Sequence, residues 1–137
     1  MNENPTILVI EDEELLRIAI VKKLVKSNIT PVACSSGRQA LDYLKQAHML
    51  PDAIWLDYYL RDMNGLEFMD ELKKNSIWAT IPVFVVSNSA STTKVHNMLA
   101  LGAKRYVLKA EHRLDDIIAE IHAYISAGKK ENTATKQ

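Results

Sequence analysis

The chain has 137 residues, and its 17 basic and 17 acidic side chains give a formal net charge of zero at neutral pH. This length fits one domain with its own core, and the balanced charge without a long basic block argues against direct contact with nucleic acid. The N-terminal stretch MNENPTILVI has no basic region and is too short in apolar residues for a signal peptide or membrane span, so we expect a cytoplasmic protein with no membrane contact.

Five short apolar runs follow one another along the chain and predict strands at residues 6–10, 29–34, 53–57, 82–87 and 105–109. The runs are continuous rather than alternating, which indicates strands buried on both faces. Segments with helical spacing lie between and after them, at residues 13–26, 37–47, 65–75, 91–101 and 114–127. Strands that alternate with helices predict right-handed crossovers and a doubly wound α/β domain with a parallel sheet.

Turn and capping residues support these boundaries. Ser36 and Gly37 begin the second predicted helix, and Gly102 follows the fourth at a typical C-terminal cap position. The final polar segment, residues 128–137, has no helical or strand pattern. We therefore expect a domain over residues 1–127, followed by a flexible tail or truncated linker.

Polar residues follow the predicted strands at the end where open parallel α/β sheets carry their function. They are Glu11 and Asp12 after the first strand, Asp57 after the third, Ser87 after the fourth and Lys109 after the fifth. We adopt the flavodoxin-like strand order 2-1-3-4-5, in which the first and third strands are neighbours. The three acids would then repel one another, and a divalent cation with oxygen ligands, such as Mg²⁺, would relieve that repulsion.

Each of these residues alone has an ordinary structural explanation. Acidic residues at positions 11–14 suit the first turn of a helix, and the others suit strand ends or exposed positions. Their joint occurrence at one edge of the predicted sheet favours a functional site over separate structural roles. The acidic first loop also lacks the glycine-rich amide cradle of a nucleotide or flavin site, which argues against a dinucleotide or flavin role.

The motifs LVIEDE, WLDYYLRDMNG, PVFVVSNS and GAKRYVLK, in this order, resemble the receiver domain of two-component response regulators, and the resemblance covers Ile7 to Ile125. It implies a flavodoxin-like (βα)₅ fold and an isolated or chemotaxis-type receiver. The implied function is a phosphoacceptor switch that uses Mg²⁺. Its partners would be a histidine kinase or histidine phosphotransfer protein and a downstream protein that the sequence does not identify.

The resemblance also implies roles for single residues. Asp57 matches the phosphoaccepting nucleophile, and Asp12 matches the direct metal ligand. Glu11 matches the acid that acts on the metal through water, and the backbone carbonyl of Tyr59 matches a further ligand. The same resemblance assigns Ser87 and Lys109 to the phosphoryl group, and makes Ser87 and Tyr106 the pair that rearranges on activation.

The first predicted helix carries more apolar residues than one narrow face requires. The surplus includes Leu15, Leu16, Ile18 and Ala19, which the resemblance implies as a partner-docking surface. Burial of these residues under neighbouring loops is the alternative.

Three positions depart from the family pattern. Arg61 replaces the usual proline, Asn88 the small residue after the hydroxyl, and Ala110 the proline after the lysine. Since a non-proline cis bond costs about 2.5 to 4 kcal/mol, we expect the bond between Lys109 and Ala110 to be trans. We also expect the ring of Tyr59 to shield an aspartyl phosphate from water.

Two other functions share some of these residues. A haloacid-dehalogenase-like phosphatase also uses an aspartate nucleophile and Mg²⁺, but it needs a second acid where this chain has Tyr59. A pseudo-receiver that binds partners without being phosphorylated stays open, although the intact acidic, hydroxyl and lysine positions argue against it. Weaker signals predict structural roles: Cys34, Met63 and Met69 in the core, and surface or capping positions for His48, His96, His112 and His122.

Overall fold

A computed structural model describes residues 4–135 of the chain, with side chains over residues 4–128. Five parallel strands form one sheet: β1 (Thr6–Ile10), β2 (Thr30–Cys34), β3 (Ala53–Leu56), β4 (Val83–Ser87) and β5 (Arg105–Leu108). Five α-helices connect and follow them: α1 (Glu14–Lys26), α2 (Gly37–Gln46), α3 (Gly65–Lys73), α4 (Thr92–Ala100) and α5 (Leu114–Thr135). The strand order is β2-β1-β3-β4-β5, which confirms the predicted topology.

Every strand begins and ends within one residue of its predicted bounds, whereas α5 differs clearly at its end. The sequence predicts that this helix ends at Ala127, but it continues to Thr135. The extension has no apolar stripe to reveal it, yet adding residues to an existing helix costs far less than starting one. The boundary between domain and tail stays a prediction, and residues 136–137 of that tail lie outside the described residues.

Three helices, α2, α3 and α4, begin at residues whose side chains satisfy free backbone N–H groups. Asn64 and Glu67 form a capping box at the start of α3, and Ser91 caps α4. At α2 the Ser36 side chain accepts from Gln39, while Asp62, from the loop after β3, accepts from the N–H groups of Gly37 and Arg38 at 3.1 and 2.8 Å. The start of α2 is therefore bonded to a loop on another part of the sheet.

Two apolar layers cover the faces of the sheet. One contains Cys34, Phe68 and Met69 with buried residues of α2, α3 and α4, and Met63 packs partly against it. The other contains Trp55 and Phe84 with buried residues of α1 and α5. The core positions predicted for Cys34 and Met69 are thus confirmed, and Met63 lies at the core's margin. Within residues 4–135, no helix combines the length and apolar character needed to cross a membrane.

Gly102 at the end of α4 has φ +105°, a backbone conformation that side chains with a Cβ disfavour, and an added Cβ would lie 3.0 Å from Lys73 Nζ. We expect Gly102→Ala to lower the free energy of unfolding by about 1 to 2 kcal/mol. Gly128→Ala is the matched control, because an added Cβ there meets nothing within 4 Å and alanine favours a helix. Urea denaturation of both variants checks this expectation, and equal effects of the two substitutions would contradict it.

Candidate functional site

Three acidic residues meet at the carboxyl edge of the sheet because β1 and β3 are neighbours in register. Ile10 pairs with Leu56, and the Asp57 N–H continues the pairing by donating to the Ile10 carbonyl at 3.0 Å. The next residues along both strands therefore leave the sheet side by side. Carboxylate oxygens of Glu11, Asp12 and Asp57 all lie within 4.8 Å of one another. The sequence prediction that brings these three acids together agrees with this geometry.

The acidic cluster is largely withdrawn from water. Glu11 and Asp57 are only 1% and 5% exposed, and Asp12 is half-buried. Burial and, second, the neighbouring charge of Glu11 together raise the pKa of Asp57 from an ordinary value of 3.8 to about 7, although Lys109 opposes both effects. In the absence of a cation, the protein therefore holds Asp57 under electrostatic strain.

Lys109 supplies the positive charge nearest to Asp57. Its Nζ donates to Glu11 Oε1 at 2.9 Å and lies 3.6 Å from Asp57 Oδ1. The lysine follows β5, and the described peptide bonds include no cis bond, so the bond to Ala110 is trans as predicted. One ammonium thus faces two carboxylates and leaves the cluster short of positive charge.

Glu11 makes contacts that the sequence did not indicate. One carboxylate oxygen binds Lys109, and the other accepts from the Glu13 N–H at 3.2 Å. A contact of Arg61 also escaped prediction, since its Nε lies 3.9 Å from Asp12 Oδ2 with the Arg61 side chain 87% exposed. Arg61, which replaces the usual proline, therefore brings a solvent-screened positive charge beside the cluster.

Ser87 and Tyr106 lie on the neighbouring strands β4 and β5. The Ser87 side chain is fully buried, and its Oγ accepts from the Ser89 N–H at 3.4 Å. Tyr106 is half-buried, and its hydroxyl donates to the Ser89 carbonyl at 2.8 Å. The segment after β4 therefore contacts both residues of the predicted switch.

Tyr59 is held by the loop that follows Asp57. Its backbone pairs with Asn64 in an isolated antiparallel bridge, and the residue is 46% exposed. The ring packs edge-on against Tyr58 with centroids 4.8 Å apart, and Lys94 Nζ lies 4.5 Å from the Tyr59 centroid. No sequence pattern predicts this contact between the aromatic rings and α4, although WLDYYL shows that the two tyrosines are adjacent.

The four candidate docking residues on α1 differ in exposure. Leu15 is 78% exposed and Ile18 is exposed as well, whereas Ala19 is half-buried and Leu16 packs partly against the core. The apolar surplus on α1 is therefore only partly covered, and Leu15 and Ile18 form its accessible portion.

The donor set of the acidic cluster fits a hard divalent cation. Three carboxylates provide oxygen ligands, which Mg²⁺ prefers, and their mutual repulsion is the state that a cation would relieve. The backbone carbonyl of Tyr59 is a further oxygen in the same loop. Glu11, Asp12 and Asp57 could thus hold a metal ion.

Comparison with known proteins gives consistent matches. The family model described as response regulator receiver domain matches residues 7–122. Two-component response regulator ORR8 of Oryza sativa is 32% identical over 122 residues, covering 89% of this chain and 98% of that protein. Nitrate/nitrite response regulator protein NarL of Escherichia coli is 37% identical over 125 residues, but the match covers 88% of this chain and 55% of NarL. The receiver domain of Francisella response regulator 1452 shares the fold, with a TM-score of 0.81 and 23% identity over 91% of this chain and 99% of that one.

The raised pKa of Asp57 predicts a stability gain from removing its charge. Below pH 3.8 the carboxyl is protonated in both folded and unfolded chains, and stability is lost as the pH rises toward about 7, where the folded state must ionise it. We expect Asp57→Asn to raise the free energy of unfolding by about 1 to 4 kcal/mol at pH 8 without divalent cations.

The measurement is urea denaturation of both proteins in EDTA between pH 4 and pH 8. The advantage of the variant should grow with pH across that interval and shrink when Mg²⁺ is added. Asp70→Asn on the exposed side of α3 is the matched control and should show neither trend. An advantage that stays constant or falls as the pH rises would refute the prediction.

Proposed function

The chain belongs to the response regulator receiver domain family, and from that membership we propose that it is a phosphoacceptor switch of a two-component phosphorelay. It takes a phosphoryl group from a phosphohistidine of a histidine kinase or histidine phosphotransfer protein onto Asp57. The observation that carries the proposal is the buried cluster of three carboxylates with Lys109 between two of them. A carboxylate that serves only stability has no reason to stand 5% exposed among like charges.

The transfer is a displacement at phosphorus. An Asp57 oxygen forms a bond to phosphorus while the bond from phosphorus to the histidine nitrogen breaks, and the imidazole keeps the electron pair. Lys109, 3.6 Å from Asp57 Oδ1, is placed to offset the negative charge that arrives with the phosphoryl group. The Ser87 hydroxyl, on the adjacent strand, is the group that we expect to donate to a phosphoryl oxygen.

Mg²⁺ fits this function as the second source of positive charge. Glu11, Asp12 and Asp57 would hold it, together with the carbonyl of Tyr59, and bound Mg²⁺ would neutralise charge on the phosphoryl oxygens. Because Lys109 alone faces two carboxylates, the cluster keeps a net negative charge that a divalent cation would neutralise.

Signalling would follow from movement of Ser87 and the segment after β4. Tyr106 binds the Ser89 carbonyl, so a shift of this segment toward a phosphoryl group changes the contact that holds the tyrosine ring. We propose that the partner that supplies phosphate docks on α1 through Leu15 and Ile18, with Leu16 and Ala19 at the margin. The response would pass to a downstream protein through the surface around Tyr106.

Incubation with acetyl phosphate and Mg²⁺, followed by intact mass measurement, tests the proposed function. We expect one phosphate adduct in the native protein and none in Asp57→Ala, with no adduct when EDTA replaces Mg²⁺. Asp70→Ala should be phosphorylated like the native chain, because its exposed carboxylate lies outside the acidic cluster. A folded native protein that takes no phosphate would instead favour the pseudo-receiver alternative.

The exposed ring of Tyr59 leads to a prediction about the lifetime of the aspartyl phosphate. Tyr59 lies two residues after Asp57, and we expect its phenol ring to cover the path of an attacking water. Neither Asn88 nor Ser89 supplies a carboxylate to orient such a water. We expect Tyr59→Ala and Tyr59→Asn to lose phosphate about tenfold faster, which corresponds to about 1.4 kcal/mol in the barrier. Phosphate decay at fixed Mg²⁺ provides the measurement, and equal or slower decay in both variants would contradict the shielding role.

A further inference from the structure

Lys94 occupies a position that is electrostatically unfavourable for a lysine. It lies in the first turn of α4, where the helix dipole disfavours a cation, and its side chain is half-buried. Within residues 4–128, no carboxylate lies at ion-pair distance from it. The ammonium instead faces two aromatic rings, 4.5 Å from the Tyr59 centroid and 5.5 Å from the Tyr58 centroid. Cation–π attraction is therefore the interaction that places it.

The two rings belong to the residues that directly follow Asp57. Tyr58 is buried in the core and contacts Tyr59 edge-on, so it is a fixed platform for the more exposed ring. Lys94 contacts that exposed ring from α4, the helix that begins after β4. Because β3 and β4 are neighbours in the sheet, the contact joins the loop after β3 to the start of α4 beside the phosphoryl site.

We propose that Lys94 is a positioning residue that holds the ring of Tyr59 beside Asp57 and thereby slows hydrolysis of the aspartyl phosphate. The inference rests on the proposed function. In that hydrolysis a water oxygen bonds to phosphorus, the bond from phosphorus to the Asp57 oxygen breaks, and the carboxylate and dihydrogen phosphate are released. Lys94 touches neither water nor phosphorus in this step, and it acts through the orientation of Tyr59.

A direct electrostatic role would act differently and can be separated from positioning. An ammonium that bound the phosphoryl group itself would act whether or not residue 59 had a ring. An ammonium that acts through the ring loses its effect when the ring is removed. The two roles therefore differ in the coupling between positions 94 and 59, which a double-mutant cycle measures.

The experiment follows phosphate decay by intact mass after phosphorylation with acetyl phosphate at fixed Mg²⁺. The set comprises the native protein, Lys94→Met, Lys94→Arg, Tyr59→Ala and the double variant Lys94→Met with Tyr59→Ala. We expect Lys94→Met to decay about twofold to fivefold faster, the range given by losing one exposed cation–π contact from the barrier. Lys94→Arg should decay like the native protein, since arginine also stacks on aromatic rings.

In the Tyr59→Ala background, Lys94→Met should have no further effect on decay. Lys45→Met, which removes an exposed lysine from the last turn of α2, is the matched control and should leave the decay rate unchanged. Unchanged or slower decay in Lys94→Met, or an effect that persists without the Tyr59 ring, would overturn the positioning role. Absence of any adduct in the native protein would instead mean that the proposed function has failed, so the two failures are distinguishable.

Discussion

Repulsion among three carboxylates at one edge of the sheet is the constraint on which the rest of the site depends. Glu11 and Asp57 are nearly inaccessible to water, so solvent screens their charges poorly. The protein answers with one ammonium, brought from the far strand of the sheet to within 2.9 Å of Glu11. That reach is possible because β1, β3, β4 and β5 are consecutive neighbours and all end at the same edge. The strand order therefore explains how Lys109 reaches the acidic cluster.

Repulsion in a site that lacks positive charge destabilises the fold, and burial of the apolar strands offsets this effect. β3 is buried along its whole length, and its four residues carry Asp57 to the edge on a rigid backbone. The apolar layers on both faces of the sheet contribute stabilising free energy. In a marginally stable domain, this contribution must offset the cost of burying Asp57 among like charges. The candidate site therefore lies where like charges repel one another, and the apolar strands that lead to it supply the stability.

The sequence predicted the elements well where a pattern of burial exists. Continuous apolar runs gave the strands, and the acids, hydroxyl and lysine at their ends gave the acidic cluster and its ammonium. The predicted end of α5 was wrong because the sequence from Gly128 to Thr135 has no apolar stripe. The contacts of Arg61 with Asp12 and of Lys94 with the tyrosines were missed for a related reason. They join side chains from distant parts of the chain, and their partners are set by packing rather than by spacing.

The bond from Asp62 to the start of α2 bears on how such domains can be recombined. This carboxylate accepts from two backbone N–H groups of α2, and the adjacent Met63 lies where a Cβ on Gly37 would be, 2.5 Å from its sulfur. The loop that follows Asp57 thus fits closely against a helix start some twenty-five residues earlier in the chain. A chimera that imports this loop from another domain must import the first turn of α2 with it, because either piece alone leaves the N–H groups of Gly37 and Arg38 without the Asp62 carboxylate or leaves a methionine without space.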